Sequence, residues 1–255
     1  MSLIKSQKEI QALAEGGKIL AEVLQKVVEA VKSGVTTKEL DSIAETLIAS
    51  SGGIPSFKGY NAFGARIAYP ASLCASINNE VVHGIPSEKR VLKEGDIIGL
   101  DIGMKYESLY TDMAVTVGVG KIDASSRKLI DVTRESLEKG IAEIRTGAHI
   151  GDIGAAVQKY VEGYGFGVVR ELVGHGVGHA VHEQPEVPNF GKKGQGLKLA
   201  EGMVLALEPM VTAGSPRVIL AKDEWTWKTT DGFRAAHFEH TVVVTKDGAR
   251  VLTKL

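Results

Sequence analysis

The strongest constraint on the fold is a pattern of two helices and a glycine turn that occurs twice, 113 residues apart. In the first copy, apolar residues from Ile10 to Val31 recur at spacings of three and four, and Ser33-Gly34 ends this helix. Thr36 or Thr37 then caps a second helix. The matched positions are Leu24 and Leu137, Val28 and Ile141, Val31 and Ile144, Gly34 and Gly147, Leu40 and Ile153, Ala44 and Val157, Leu47 and Tyr160, and Gly52 and Gly165.

Each helix pair is followed by segments with the composition of β-strands. These are residues 96–103 and 111–118 after the first pair, and residues 203–207, 218–220 and 235–245 after the second. We therefore predict an α/β (α+β) fold with two pseudo-twofold halves, about residues 1–120 and 121–255, in a single catalytic domain. Helices should cover a curved, mainly antiparallel sheet, with a crevice between the halves as the expected site.

Composition limits the class of protein. The chain has 255 residues, of which 44% are hydrophobic, enough for one sizeable core. The net charge of -1 argues against binding to nucleic acid or to an anionic membrane. Cys74 is the only cysteine, so a disulfide framework is excluded. Without a signal peptide or a stretch of roughly 18 apolar residues, we predict a cytoplasmic protein with no membrane partner, and a monomer.

Two aspartates interrupt apolar segments that resemble the arms of a hairpin. Asp101 lies within residues 97–103 and Asp112 within residues 111–117, with a turn expected over residues 105–108. A turn centred at positions 106 and 107 would place the two aspartates directly opposite each other, with Cβ atoms about 5 Å apart. A bound cation would relieve the repulsion there. The alternative is an exposed hairpin face that carries two acids.

Two glutamates and a histidine-rich segment extend this set. Glu208 ends the apolar run 203–207 and is either a solvated strand end or a buried ligand, whereas an outward-facing Glu239 would be ordinary. His175, His179 and His182 fall within eight residues of a glycine-rich segment, which favours metal binding or catalysis. Four carboxylates and one histidine suit manganese, iron(II), cobalt or zinc in a binuclear site. Such ions, roughly 3.5–4 Å apart, could hold a hydroxide nucleophile.

Taken in order, these segments resemble the methionine aminopeptidases, which have the pita-bread fold. The resemblance covers nearly the whole chain. It rests on residues 79–86 (Asn-Glu-Val-Val-His-Gly-Ile-Pro), 174–178 (Gly-His-Gly-Val-Gly), 182–183 (His-Glu), 208–211 (Glu-Pro-Met-Val) and 239–243 (Glu-His-Thr-Val-Val), with ten residues between the two aspartates. The resemblance implies two divalent ions per chain, of Co, Mn, Fe(II), Zn or Ni. The implied ligands are Asp101, Asp112, His175, Glu208 and Glu239.

The resemblance also implies roles for individual side chains. Asp112 and Glu239 would bridge the two ions, and Glu208 would in addition transfer a proton. His83 and His182 would hydrogen-bond the substrate without binding metal. The methionine pocket would be formed by Tyr69, Cys74, Trp225 and Phe63. His179 matches no ligand and is expected to be structural.

The implied reaction is removal of the N-terminal methionine from nascent proteins and peptides whose second residue is small, by attack of a metal-bound hydroxide on the first peptide bond. Phe63, Arg66 and Val181 depart from the common bacterial pattern, so the outer shape of the pocket is left open. With neither an N-terminal extension nor a helical insertion, the chain is similar to the short, type I bacterial form. The ribosome is an expected partner on the basis of this role.

Two other functions compete with this interpretation. Proline-specific aminopeptidases and dipeptidases of the same fold share the five ligands. They usually carry an extra N-terminal domain, for which 255 residues leave no room, and residues 81–86 favour the methionine enzymes. A binding module that has lost its catalytic residues would lack some of the five ligands or the two histidines, and all seven are present.

Overall fold

The computed structural model describes residues 2–61 and 66–254, and the four helices found there form two matched pairs. The first pair is α1 (Gln7–Glu29) with α2 (Thr37–Ser50), and the second is α3 (Ala124–Ala142) with α4 (Ile150–Gly163). The first helices end 113 residues apart, and the second helices begin and end 113 residues apart. The predicted repeat is therefore present in the structure. None of these helices combines the length and apolarity that a membrane crossing requires.

The residues that begin and end the helices also correspond. Thr36, one of the two predicted caps, forms a capping box with Glu39 at the start of α2. His149 occupies the equivalent position before α4. Gly34 has a φ of +92° and Gly147 a φ of +90°, a left-handed conformation that glycine adopts without steric cost. The same turn thus directs both helix pairs onto the sheet.

The strands are short except for one long hairpin. In chain order they are β1 (Ile54–Pro55), β2 (Leu73–Ile77), β3 (Glu80–Val82), β4 (Ile97–Tyr106), β5 (Leu109–Gly118), β6 (Gly167–Val168), β7 (Gly174–Gly176), β8 (Glu183–Val187), β9 (Val204–Leu207), β10 (Met210–Thr212), β11 (Val218–Leu220), β12 (Trp227–Thr229), β13 (Ala235–His237), β14 (Glu239–Val244) and β15 (Ala249–Val251).

One antiparallel sheet of nine strands joins the two halves. Its order is β1-β4-β5-β14-β9-β7-β8, with β2 added to β4 and β15 added to β14. The central pair, β5 and β14, takes one strand from each half. Two three-stranded sheets, β13-β10-β6 and β11-β12-β3, flank it. The predicted curved antiparallel sheet under helices is confirmed, and its centre is the junction of the halves.

Successive side chains along a strand point to opposite faces of the sheet, and this separates the core residues from the site residues. Leu100 and Ile102 on β4 are fully buried against a cluster that includes Leu20 of α1 and Leu40 of α2. Each such side chain contributes about 1.5–3 kcal/mol to folding. Asp101, between them in sequence, must point to the opposite face. A second cluster, under α3 and α4, covers the other half of the sheet in the same way.

The register of the β4–β5 hairpin differs from the prediction. Asp101 is paired with Ala114, and Asp112 with Gly103, so the two aspartates are diagonal neighbours instead of directly opposite. The reason is the turn. It comprises only positions 107 and 108, both with positive φ (44° and 71°), as in the two-residue turns favoured by hairpins. A shift of two residues keeps both carboxylates on one face of the hairpin. Asp101 and Asp112 are therefore still neighbours, as predicted.

The segment predicted as one strand over residues 235–245 is two strands in different sheets. β13 ends at His237 in a three-stranded sheet, and β14 begins at Glu239 in the nine-stranded sheet. Phe238 lies between them and packs into the core of the second half. His237, Phe238 and Glu239 are all buried. No glycine or proline in this segment indicated the switch.

Candidate active site

The face of the sheet opposite the helices opens into a cavity of about 210 Å³. Its lining residues are Phe57, Tyr60, Tyr69, Cys74, His83, Asp101, Asp112, His175, His182, Glu208, Trp225 and Glu239. This set contains every predicted site residue except Phe63, which lies outside the described residues. The cavity therefore brings together side chains that are up to 182 positions apart in the sequence, from Phe57 to Glu239.

The carboxylates come from neighbouring strands at the junction of the halves. Asp101 on β4, Asp112 on β5 and Glu239 on β14 are 7%, 3% and 3% exposed. The backbone at Asp112 is fixed by Thr241, whose Oγ1 accepts from the Asp112 N–H at 2.9 Å and donates to its carbonyl at 2.7 Å. Ligand atoms of Asp112, His175 and Glu239 all lie within 4.8 Å of one another. This spacing is compatible with a shared cation.

The pKa values show the cost of this crowding. Burial raises the pKa of Asp101 to about 7 and that of Glu208 to about 8. Burial, together with the neighbouring carboxylates, raises the pKa values of Asp112 and Glu239 well above their usual range. Without a counter-charge, most of these groups stay protonated at neutral pH. A divalent cation would stabilise their ionised form.

The polar atoms left without partners point to the same conclusion. Asp101 Oδ1, Asp112 Oδ1 and Glu239 Oε1 are buried and accept no hydrogen bond from any described residue. His175 donates Nδ1–H to the Gly176 carbonyl at 2.9 Å, which leaves the Nε2 lone pair free, 3.6 Å from Glu208 Oε1. Burial lowers the pKa of His175 to about 3, so the ring is neutral. Carboxylate oxygens with one oriented, neutral imidazole fit divalent first-row metals.

These pKa values predict how the metal-free protein responds to pH. Asp101 and Glu208 have pKa values of about 7 and 8 in the fold and about 4 when unfolded, so their contribution to stability is lost as pH rises through 7 and 8. His83 and His175 have pKa values lowered from 6.5 to about 4 and 3. Their effect on stability therefore no longer changes with pH above about pH 6.5. Between about pH 6.5 and 8.5 the carboxylates alone should set the slope.

The melting temperature of chelator-stripped protein should therefore fall from about pH 6.5 to 8.5. Protein saturated with Mn²⁺ should not show this fall, because its ligands are already ionised. Scanning calorimetry of both forms across this range measures the difference. A stripped protein that becomes more stable with rising pH would contradict the pKa shifts.

Two histidines that are not in the carboxylate cluster face the same cavity. His83 follows β3 with a φ of +59°, unusual for a residue with a side chain and common at functional sites. Burial lowers its pKa to about 4. His182 is exposed at the mouth of the cavity, with its Nδ1 2.8 Å from the Tyr60 hydroxyl and its ring centroid 4.3 Å from that of His175. Desolvation by the cavity walls lowers its pKa too.

The apolar end of the cavity is built by aromatic residues that are locked in place. Tyr69 and Trp225 pack edge to face with ring centroids 5.1 Å apart. Tyr69 donates its hydroxyl proton towards the Gly84 carbonyl at 3.1 Å, and Trp225 donates Nε1–H to Ile67 at 2.9 Å. Cys74 pairs with Asp101 across β2 and β4. The apolar wall therefore borders the carboxylates directly.

Three residues of the site were not found by sequence reasoning. His237 is 2% exposed, with its Nε2 3.4 Å from Glu208 Oε2. Its position two residues before Glu239 in a strand was the signal that could have identified it. Phe57 and Tyr60 lie in the irregular segment after β1, where no periodicity marks a buried face.

The three positions that depart from the common bacterial pattern have different environments. Val181 is 6% exposed and packs in the same cluster as Trp225. Arg66 is exposed, and its Nε lies 3.6 Å from Glu224 Oε1. Neither of these residues lines the cavity. Phe63 lies outside the described residues, so Val181 alone of the three is placed at the pocket.

Known proteins share both the sequence and the fold. The sequence model of metallopeptidase family M24 matches residues 11–246. A methionine aminopeptidase of Clostridium acetobutylicum is 48% identical over 253 residues, which is 99% of each chain. A crystal structure of methionine aminopeptidase from Thermotoga maritima has a TM-score of 0.95 and 43% identity, covering 99% of both chains.

A more distant neighbour separates the fold from the family. The prolidase of Pyrococcus horikoshii has a TM-score of 0.77 but only 22% identity, and the match covers 63% of that chain. It therefore shows the shared fold alone, whereas the Clostridium and Thermotoga proteins match this chain over their full length. The chain belongs to the methionine aminopeptidases of metallopeptidase family M24.

Proposed function

We propose that this chain removes the N-terminal methionine from peptides and nascent proteins whose second residue is small, with divalent metal ions held in the cavity. The observation that carries the proposal is the direct contact between an apolar aromatic pocket and a cluster of buried carboxylates. An apolar pocket suits an unbranched thioether side chain. With a methionine side chain in this pocket, the first peptide bond of the substrate would lie next to the carboxylates.

The metal site is proposed to hold two ions per chain. Asp112 and Glu239 would serve both ions, Asp101 would complete one of them, and His175 with Glu208 would complete the other. The short distances among Asp112, His175 and Glu239 support this arrangement. Divalent ions supply Lewis-acid activation of the peptide carbonyl and of water. Co, Mn, Fe(II), Zn and Ni all accept such oxygen and nitrogen donors, so the availability of each metal in the cell decides which one occupies the site.

His182 is proposed as the donor to the scissile carbonyl. Its lowered pKa keeps the ring neutral at pH 7. Burial raises the pKa of Tyr60, so this phenol keeps its proton and can donate it to His182 Nδ1, 2.8 Å away. A neutral imidazole has one donor nitrogen, which must then be Nε2. A fixed Nε2–H can stabilise the negative charge that develops on the carbonyl oxygen.

His83 and Glu208 are proposed to handle the substrate nitrogen and the proton. His83 is neutral and lies beside Trp225, with ring centroids 6.3 Å apart, so it can hydrogen-bond the terminal amine or the amide nitrogen. Glu208 lines the cavity beside the other carboxylates, where its carboxylate would accept a proton and pass it on. His237 Nε2 lies next to this carboxyl, 3.4 Å from Glu208 Oε2.

We expect truncation of the Phe57 side chain to change the substrate specificity. This residue is 8% exposed and packs in one cluster with Tyr69, Cys74 and Trp225. Phe57→Ala should widen the pocket and reduce the preference for Met-Ala-Ser over Leu-Ala-Ser in kcat/KM by about tenfold, since shape differences of this size contribute 1–3 kcal/mol. Phe233→Ala, at a phenylalanine that is 59% exposed, is the matched control. Unchanged preference in Phe57→Ala would remove Phe57 from the pocket.

Four peptides test the activity itself. Mn²⁺-loaded protein is incubated with Met-Ala-Ser, Leu-Ala-Ser, Met-Leu-Ser and Ala-Pro, and the released amino acid is measured. Release of methionine from Met-Ala-Ser, with little from the other three, supports the proposal. Cleavage of Ala-Pro in preference to Met-Ala-Ser would transfer the chain to the proline-specific enzymes of the same fold.

The remaining features of the proposal concern the setting of the enzyme. The 255 residues are proposed to act as one catalytic domain, because Asp112 and Glu239 come from different halves and meet in one cavity. A monomer in the cytoplasm, acting on chains as they leave the ribosome, is proposed from the activity alone.

A further inference from the structure

The N-terminal segment is attached to the loop that carries His182 by a buried ion pair. Lys5 is 3% exposed, and its Nζ lies 2.7 Å from Glu183 Oε2. The Lys5 backbone N–H is bonded to the Gly202 carbonyl at 2.9 Å, so the lysine is held at its own end as well. A fully buried lysine is rare without a partner, which indicates a specific role for this pair.

Glu183 transmits this attachment to the loop backbone. Its Oε1 accepts the backbone N–H of His179 and that of Ala180, the latter at 2.8 Å. Burial alone would raise the pKa of Glu183, but these hydrogen bonds and the Lys5 ammonium hold it below its usual range. The carboxylate is therefore ionised and organises the turn directly before His182.

A second contact connects the same turn to helix α1. His179 Nε2 lies 2.6 Å from Glu9 Oε1. The other oxygen of Glu9 closes the capping box with Ser6 at the start of α1. Lys5 and Glu9 thus hold the two sides of one loop.

The loop itself has little intrinsic rigidity. Gly176 and Gly178 flank Val177, and Gly178 has a φ of +140° that few other residues adopt. A Cβ at Gly178 would lie 2.5 Å from Lys5 Cε, so the lysine stem packs against this glycine. The position of His182 therefore depends on contacts from outside the loop.

We propose that Lys5 and Glu9 form an N-terminal clamp that positions the His182 imidazole for catalysis, with Lys5 acting through Glu183 and Glu9 through His179. The inference rests on the proposed role of His182 as the donor to the scissile carbonyl. Neither Lys5 nor Glu9 lines the cavity. They are positioning residues, and their effect on the rate passes through His182.

The test compares Lys5→Met in two backgrounds, the native chain and His182→Ala, both loaded with Mn²⁺. In the native background, kcat for Met-Ala-Ser should fall by about 10- to 100-fold, as expected for a misplaced catalytic group, with KM changed by less than about twofold. In His182→Ala the same substitution should change kcat by less than about twofold, because the group it positions is gone. Melting temperature and bound metal are measured for every variant.

Arg234→Met is the matched control. Arg234 pairs with Asp123 at 2.9 Å and is 30% exposed at the start of α3. Its loss should lower the melting temperature and leave kcat within about twofold. If Lys5→Met behaves in the same way, or lowers kcat equally in both backgrounds, the clamp is only structural and the inference is overturned.

Two further outcomes are distinguishable. If Lys5→Met does not fold, Glu9→Gln tests the second contact, since the Glu9 side chain is 33% exposed and its loss should be tolerated. A fall of about threefold in kcat is then expected in the native background and none in His182→Ala. If His182→Ala itself retains the native rate, the proposed role of His182 fails and the clamp fails with it.

Discussion

Asp112→Asn is expected to abolish metal-dependent release of methionine. The substitution keeps the shape of the side chain but removes a charge from the centre of the carboxylate cluster, where Asp112 lies within 4.8 Å of His175 and Glu239. If Asp112 is the bridging ligand that we propose, its loss removes several kcal/mol of transition-state stabilisation, so kcat should fall by about 10³-fold or more. The rate with Met-Ala-Ser and the metal bound per chain are measured on the same sample.

The stability of the same variant should change in the opposite sense. Metal-free Asp112→Asn should be at least as stable as metal-free native protein, because the burial and repulsion that raise the pKa of Asp112 no longer apply. Asp131→Asn, at a half-exposed aspartate paired with Arg134 on α3, is the matched control for both measurements. Full activity in Asp112→Asn would show that Asp112 is not a ligand.

His182→Ala is expected to have the second largest effect. Removal of one hydrogen-bond donor to a developing oxyanion lowers kcat by about 10²- to 10³-fold. The metal content should stay at the native value, because His182 Nδ1 faces Tyr60 and we propose that the ring binds no metal. Steady-state kinetics with Met-Ala-Ser, together with metal analysis, separate the two effects.

His149→Ala is the control for this substitution. His149 precedes α4 and does not line the cavity, and its side chain makes no capping hydrogen bond. Its kcat should stay within about twofold of the native value. A native kcat in His182→Ala, or a loss of bound metal that explains the whole fall, would contradict the assignment of His182 as a donor.

The helices could be predicted from sequence because their signals are local. Apolar spacing and turn glycines such as Gly34 and Gly147 are set within a few residues, and the structure confirms the 113-residue repeat. The hairpin register could not be predicted correctly, because it depends on whether the turn is centred on positions 106 and 107 or on positions 107 and 108. The break at Phe238 was missed because no glycine or proline interrupts the segment and only the tertiary fold separates the two sheets.

Some residues of the site could likewise be predicted from the sequence, and others could not. Residue patterns alone left Asp101 and Asp112 open between a metal site and an exposed hairpin face, and the resemblance to a family resolved the choice. Burial of both aspartates now excludes the exposed face. Tyr60 and His237 were missed because each is defined by one partner distant in sequence, His182 and Glu208 respectively. The ligand and substrate roles stay predictions until variants are measured.

The central claim is that the buried carboxylates and His175 hold the metal ions on which methionine release depends. The most direct measurement strips the native protein with chelator, returns Mn²⁺ in steps, and follows bound metal and methionine release from Met-Ala-Ser together. We predict almost no release without metal and a rise that follows bound metal up to two ions per chain. Release at the full rate from protein with no bound metal would contradict the account.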